Sequence, residues 1–339
     1  MNKKYIGDQT LVFENCPNIV SYGAVVGKKE GEGPLGSWFD YIAEEAMWGE
    51  ETWEKAESKF VRETVQTALT KSGLNWGDIN CIFAGDLMNQ CTSSSYGVRD
   101  LNRPFVGLYG ACSTMAESMM LSALFLDGGF GEYALAATSS HFCSAEKQFR
   151  FPLSYGGQRT PTAQWTVTGS GAAILSAKSD KPPYVTHATI GRINDYGITD
   201  INNMGAAMAP SFCDTLIKHL NDTGRQPDYY DMILSGDLGQ VGKKIAKDLL
   251  KKENIDISSN FDDCGVLIFD PDTQDVHAGG SGCGCSGTVL NSYILEQMKK
   301  GKINNLLFIG TGALMSTTTF QQGDSIPGIA HAIAISNTK

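Results

Sequence analysis

One order of segments occurs twice in this chain, half a chain apart, and that repetition restricts the fold more than any single motif. Ile82-Phe-Ala-Gly-Asp86 has a counterpart in Ile233-Leu-Ser-Gly-Asp237, and the runs leading into them, Leu74-Asn-Trp-Gly-Asp78 and Gly224-Arg-Gln-Pro-Asp228, correspond as well. Gly110-Ala-Cys-Ser113 matches Gly284-Cys-Ser-Gly287, each opening a helical pattern. Glu132 to Ser140 matches Asn305 to Gly312, and Thr166 to Leu175 matches Ile329 to Ile335. Matching segments lie roughly 150 to 175 residues apart, and five matches in one order make half the chain the period. The implied fold class is α/β: a βα unit duplicated into an N-terminal half, residues 1–180, and a C-terminal half, residues 181–339, related by a pseudo-two-fold. The two cysteine-bearing turns then face each other, with both helix N-termini aimed at one cleft.

Local patterns fill in the halves. Gln9 to Phe13 and Asn18 to Val26 read as strands, and Lys28 to Gly36 as a loop by its Gly, Pro and charge content. Trp48 to Ser72 carries apolar residues at helical spacing, with Gly73 as its C-cap. Arg103 to Tyr109 feeds the Cys112 turn, and Ser113 to Phe125 is helical. Glu146 to Gln164 has neither helical nor strand periodicity and reads as a long ordered loop, a common place for function. In the second half, Val185 to Arg192 reads as a strand, and Pro210 to Leu220 and Thr288 to Lys300 as helices.

Cys112 at a strand-to-helix turn lies near the positive end of a helix dipole, which favours thiolate and binds anions. A small buried cysteine that only lets strand and helix pack fits the same stretch. Asp86, Asp237 and His141 stand at or just past the C-terminal ends of strands, where ligands of open α/β sheets bind. The loop 146–164 brings Lys147, Arg150, Gln158, Arg159 and Gln164. Two chemistries suit this set. Cys112 with His141 as base would be a nucleophilic pair. Two helix N-termini with His141 and a cationic loop would hold a compact carboxylate without turnover. Each of these charges also has an ordinary reading as a solvated surface group. His187, His219, His277 and His331 have no local partner that marks them.

Other classes are excluded or weakened. Net charge is −10 and no basic stripe carries interleaved aromatics, which argues against nucleic acid. No apolar run approaches the about 18 residues of a membrane span, and Met1 to Gly7 shows no signal-peptide pattern. Nine scattered cysteines argue for reduced thiols. Cys283-Gly-Cys285 lacks a second pair at zinc-finger spacing, so no metal site is expected. Gly169 to Ala173 and Gly279 to Gly284 lack the GK[ST] ending of a P-loop, so no nucleotide or other cofactor is expected.

Longer words carry a resemblance. The duplicated chain with Gly110-Ala-Cys-Ser-Thr114 at its first turn resembles the thiolase and ketoacyl-synthase superfamily. Nearly the whole chain resembles the stage V sporulation protein AD family of spore-forming bacteria. The matching words include Ala84-Gly-Asp-Leu-Met-Asn-Gln90, Ser139-Ser-His141, Glu146-Lys-Gln-Phe-Arg-Phe-Pro152, Tyr155-Gly-Gly-Gln158 and Pro161-Thr-Ala-Gln-Trp-Thr-Val-Thr-Gly169. Asn203-Met-Gly-Ala-Ala-Met-Ala-Pro210 and Thr318-Thr-Phe-Gln-Gln322 continue them. The resemblance implies a thiolase-like fold with α/β/α/β/α layers. It implies a protein that binds dipicolinic acid, alone or as its calcium chelate, and supports its movement into the developing spore and out at germination. Membrane proteins of the same operon are the implied partners, a peripheral place on the inner membrane of the spore the implied location, and a homodimer the implied assembly. Condensing enzymes of the superfamily pair the first-half cysteine with two second-half groups. The positions here are the Ser235-Gly-Asp237 tip, without His, and the turn at Cys285. The resemblance therefore implies no catalytic residue, with Cys112, His141, Asp86, Lys147, Arg150, Gln158, Arg159, Gln164, Asp237 and Cys285 as ligand-site candidates. A residual acyltransferase using Cys112 is the alternative, and a scaffold that binds no ligand is a third. The acidic segment 28–58, outside the duplicated core, is a candidate partner surface or simply a solvated face.

Overall fold

The computed structural model describes residues 4–149, 159–178 and 180–339. Ten strands carry the fold. The first five are β1 (Asn18–Gly27), β2 (Cys81–Asp86), β3 (Phe105–Leu108), β4 (Tyr133–Ser140) and β5 (Gly169–Ser176). The second five are β6 (Tyr184–Thr189), β7 (Met232–Ser235), β8 (Phe261–Asp263), β9 (Asn305–Ala313) and β10 (Gly328–Ser336). Their order across the sheet is β8-β7-β9-β10-β6-β1-β5-β4-β2-β3. Read from either edge, each strand is the counterpart of the strand five positions on in the chain. The pairing sense repeats too. β2 is parallel to β3 and β4, as β7 is to β8 and β9, while β5 and β10 run antiparallel to their neighbours. Between the central strands of the two half-sheets, β6 and β1 share a single register pair, Tyr184 with Asn18.

The helices repeat the same way. Helix α1 (Trp53–Ser72) packs on β1 and β5, and α3 (Met204–Thr223) on β9 and β10. Thr52 caps α1 by accepting from Lys55 N, and Asn203 caps α3 by accepting from Ala206 N, each satisfying an amide the helix leaves free. Both helices end on glycine in the left-handed region, Gly73 and Gly224. The cysteine-turn helices, α2 (Thr114–Asp127) and α5 (Cys283–Val289), lie between the half-sheets. Helix α2 packs on β2 and β4 and also on β9 and β10 of the other half, and α5 on β1, β4 and β5. With α4 (Gly239–Lys252) beside α3 on the outside, the layers run α/β/α/β/α.

Burial on both faces explains the strand compositions. β4 (Tyr-Ala-Leu-Ala-Ala-Thr-Ser-Ser) and β5 (Gly-Ser-Gly-Ala-Ala-Ile-Leu-Ser) are small-residue strands pressed by helices from two sides. At Gly171 the approach is closest: a Cβ there would lie 2.0 Å from the Gly287 carbonyl oxygen of α5.

Several boundaries differ from the sequence reading. The expected loop 28–36 opens with a helical turn, Lys28–Gly31, whose Glu30 is buried and accepts from Thr168 N at 2.9 Å. The first long helix starts at Trp53 rather than Trp48, because Trp48 is held between the Tyr41 and Phe60 rings. Helix α3 begins six residues before Pro210, which sits inside it. The expected loop 146–164 begins within a helix, Phe142–Phe149, and residues 150–158, with Arg150 and Gln158, lie outside the described residues.

Candidate functional site

β3 leads through Tyr109 and Gly110 into the Cys112 turn. Ala111 takes φ +49°, a left-handed conformation that a Cβ disfavours. Side chains hold the turn: Ser113 Oγ donates to Gly110 O at 2.6 Å and Thr114 Oγ1 to Ala111 O at 2.6 Å. The turn rests on β9, where a Cβ on Gly312 would meet Gly110 O at 2.4 Å. Only glycine permits that contact, so the first-half turn is set by the second half's sheet.

Cys112 lines a cleft of about 780 Å³, its open mouth included. Apolar walls come from both halves, Leu87, Ala145 and Phe149 from the first and Ile201, Met204 and Met315 from the second. Tyr109, Glu146, Gln164, Thr166, Asn202 and Ser281 are the polar lining. Among the described residues no Lys, Arg or His lines this cleft.

Asp237 stands behind the thiol. The Cys112 thiol faces its carboxyl, which accepts from Thr311 Oγ1 at 2.9 Å, Gly282 N at 2.8 Å and Ser281 Oγ at 3.1 Å. Burial pushes Asp237 up to about 7, against these hydrogen bonds. Burial first, and then the nearby Asp237, push the Cys112 thiol well above the usual thiol range. The helix end that favours thiolate is thus outweighed by an enclosing wall and a carboxyl. Gln164 is fixed by Nε2 donating to Asp237 O at 2.8 Å and Gly280 O at 2.6 Å. Its Oε1 is buried and finds no donor among the described residues.

The other sequence candidates lie elsewhere. His141 is fully buried, with Nε2 bonded to Ala46 O at 2.8 Å and Nδ1 accepting from Cys143 N at 3.1 Å. Both nitrogens are used by backbone and burial lowers the pKa, so this ring is a neutral strut and does not reach the cleft. Asp86 accepts from Met88 N at 2.8 Å and Ser94 N at 2.7 Å, organising its own loop. Lys147 pairs with Glu54 at 2.6 Å. Arg159 pairs with Asp275 at 2.5 Å and lies over the Trp165 ring. Cys285 is a further correction. It is wholly buried in the main apolar core, and Cys283 is the cysteine that packs with Cys112, in a cluster with Leu87 and Ala145. The matching of Gly110-Ala-Cys-Ser113 with Gly284-Cys-Ser-Gly287 was out of phase. Relative to the sheet each turn rests on, Cys112 corresponds to Cys283.

Sequence reasoning missed the apolar walls, since Ile201, Met204 and Met315 look like ordinary core residues. The word Asn203-Met-Gly, directly after Ile201 and Asn202, was the available pointer. No described group of three or more His, Cys, Asp or Glu side chains is arranged for a metal ion. No described helix is long and apolar enough to cross a membrane.

Solved structures share this architecture. 3-Oxoacyl-[acyl-carrier-protein] synthase III of Aquifex aeolicus VF5 is 13% identical and superposes with a TM-score of 0.55, covering 94% of this chain and 99% of that one. OleA of Xanthomonas campestris is 13% identical with a TM-score of 0.61, covering 96% and 99%. The fold is therefore thiolase-like. At the sequence level, stage V sporulation protein AD of Bacillus subtilis (strain 168) is 46% identical over 330 residues, 97% of each chain. The profile of that protein's family matches residues 7–336, and the chain belongs to the stage V sporulation protein AD family.

Proposed function

We propose that this sporulation protein holds dipicolinic acid in the Cys112 cleft as a reversible ligand and does no condensing chemistry. The observation that carries the reading is the thiol. Cys112 keeps the nucleophile's place, but its proton is held by burial and by Asp237, and no described cleft residue offers an imidazole base. A cleft retained around a quenched nucleophile is a binding site.

The lining favours the calcium chelate over the free dianion. A doubly negative ligand facing walls with no described cation would lose hydration without gaining a counter-charge there. In the chelate the ring's carboxylates are already neutralised. Its metal can take oxygen donors, and Gln164 Oε1 is a buried amide oxygen with no donor among the described residues. Calcium is here part of the cargo, and the planar ring suits walls of Phe149, Leu87, Met204 and Met315. The family supports a role in moving this cargo between compartments at the inner membrane of the spore, with membrane proteins of the same operon as partners. A second copy would pair along β3, one of the sheet's two edges, where Val106 is exposed.

Calorimetric titration with dipicolinate, with and without calcium, tests the reading. Reversible binding that calcium tightens, and that Gln164→Leu weakens about tenfold or more, is the expected result. The same protein incubated with an acyl thioester should show no mass increase at Cys112. Acylation there would instead favour an acyltransferase, to which the strained Ala111 turn lends some support.

A further inference from the structure

A second hollow, of about 480 Å³ with its open mouth included, lies where the continuation of α5 meets β1 and the end of α1. It is lined by Tyr22, Trp38, Asp40, Lys71, Asn291 and Glu296, none of which lines the Cys112 cleft. The helix is irregular at this point. Leu290–Ile294 forms a π turn, with Asn291 at ψ 17°, before α6 (Leu295–Lys299) resumes. Such turns mark functional positions more often than chance.

Asn291 explains the turn and leaves something over. Its Nδ2 donates to Gly287 O, four residues back, at 2.8 Å, taking over a carbonyl that the regular ladder would use. That bond fixes the amide's orientation, since only the NH₂ end can face a carbonyl. The Oδ1 end is left, fully buried, with no donor among the described residues. The carboxylates differ in how far they are satisfied. Asp40 accepts from Lys71 at 3.0 and 3.3 Å and from Ala24 N at 2.9 Å. Glu296 accepts from the Tyr22 hydroxyl, and Lys299, mostly exposed, approaches it only to 3.9 Å. The rings already keep company with ammonium groups: Lys71 lies over Tyr22 at 4.9 Å and Lys300 over Trp38 at 4.3 Å. The unmet capacity here is for a hydrogen-bond donor, beside an under-neutralised carboxylate and aromatic walls.

We infer that this hollow binds the ammonium end of a primary amine, with Asn291 Oδ1 and Glu296 as acceptors. An –NH₃⁺ group supplies three donors and a charge, and a nearby aromatic face adds attraction. A neutral alcohol would satisfy Asn291 and leave Glu296 unanswered. This site is independent of the dipicolinate reading.

Butylammonium and 1-butanol are the probes, titrated into the full chain while the Trp38 indole resonance is followed by NMR and assigned with Trp38→Phe. The expected result is saturable binding of butylammonium, with butanol weaker by about tenfold or more. Glu296→Gln, which keeps an acceptor for Tyr22, should lower butylammonium affinity to the level of butanol without lowering the melting temperature. Equal binding of both probes overturns the inference, as does unchanged butylammonium affinity in Glu296→Gln. So does a crystal soaked with butylammonium that shows only an ordered water on Asn291 Oδ1.

Discussion

The two cysteine turns are the same device used in opposite ways. In both, a small-residue turn feeds a helix that crosses to the other half-sheet. The first turn opens: Cys112 is partly exposed to a cleft and Ala111 is held in a left-handed conformation above it. The second closes: Cys283 donates its thiol hydrogen to Ser139 O at 2.9 Å, and Cys285 is sealed in the core. The glycines decide this. Gly282, Gly284 and Gly287 let α5 settle directly onto Ser140, Gly169 and Gly171, with no room left for a ligand. α2 carries Thr114, Met115 and Ala116, not glycines, in its first turn. Close packing of the second turn leaves the cleft beside Cys112.

The strand-end aspartates differ in the same sense. Asp86 turns to its own loop, whereas Asp237 ties three segments together behind Cys112. Asp237→Ala should therefore cost about 3 kcal/mol, since it leaves the Gly282 N–H and two hydroxyls without an acceptor. Asp86→Ala should cost nearer 1 kcal/mol, because the lost hydrogen bonds are partly offset by relief of repulsion with Glu57. Urea unfolding midpoints measure both. Equal losses would remove the distinction between the two ends. Asp237→Ala should also speed alkylation of Cys112 at fixed pH, read by mass spectrometry.

A smaller effect separates the cysteines. Cys285→Ser places a hydroxyl in the apolar core and should cost about 1 to 2 kcal/mol. Cys112→Ser should stay within about 0.5 kcal/mol, since a serine hydroxyl beside Asp237 can donate to its carboxyl. A larger loss at position 112 would mean that this turn is packed as tightly as its twin.

A further effect is a pH slope. Glu57, fully buried between Ser139 and Ser144, is pushed up to about 8 by burial and then by Asp86. A carboxyl raised on folding binds more protons in the native state. Its contribution is fully present below the unfolded value of about 4.5 and is lost as pH rises toward the folded value. Glu57→Gln should therefore gain stability relative to the parent as pH rises from 5 to 8, by at most about 1.4 kcal/mol per unit. His187, half-buried, and buried His219 and His331, lowered to about 4, 3 and 4, tilt both proteins the other way below about pH 6.5 and cancel in the difference. A flat difference would place Glu57 among ordinary carboxylates.

Repeated Gly-Asp strand ends, matching helix C-caps and small-residue turns were legible in the sequence, because each is a local requirement written at a fixed spacing. They determined the duplicated α/β plan, the strand order's symmetry and the place of Cys112. Residues that act through contact with distant segments were not legible. His141 and Asp86 carry the residue types of a site, yet backbone groups within reach claimed both before a cleft could. Lys147 and Arg159 read as a cationic loop until Glu54 and Asp275, more than 90 residues away in sequence, neutralised them. The phase between the two turns, and so the choice of Cys283 over Cys285 beside Cys112, was set only when α2 and α5 packed between the half-sheets. A two-residue shift along a helix turns a side chain by about 200°, and only the packing surface decides which rotation is buried.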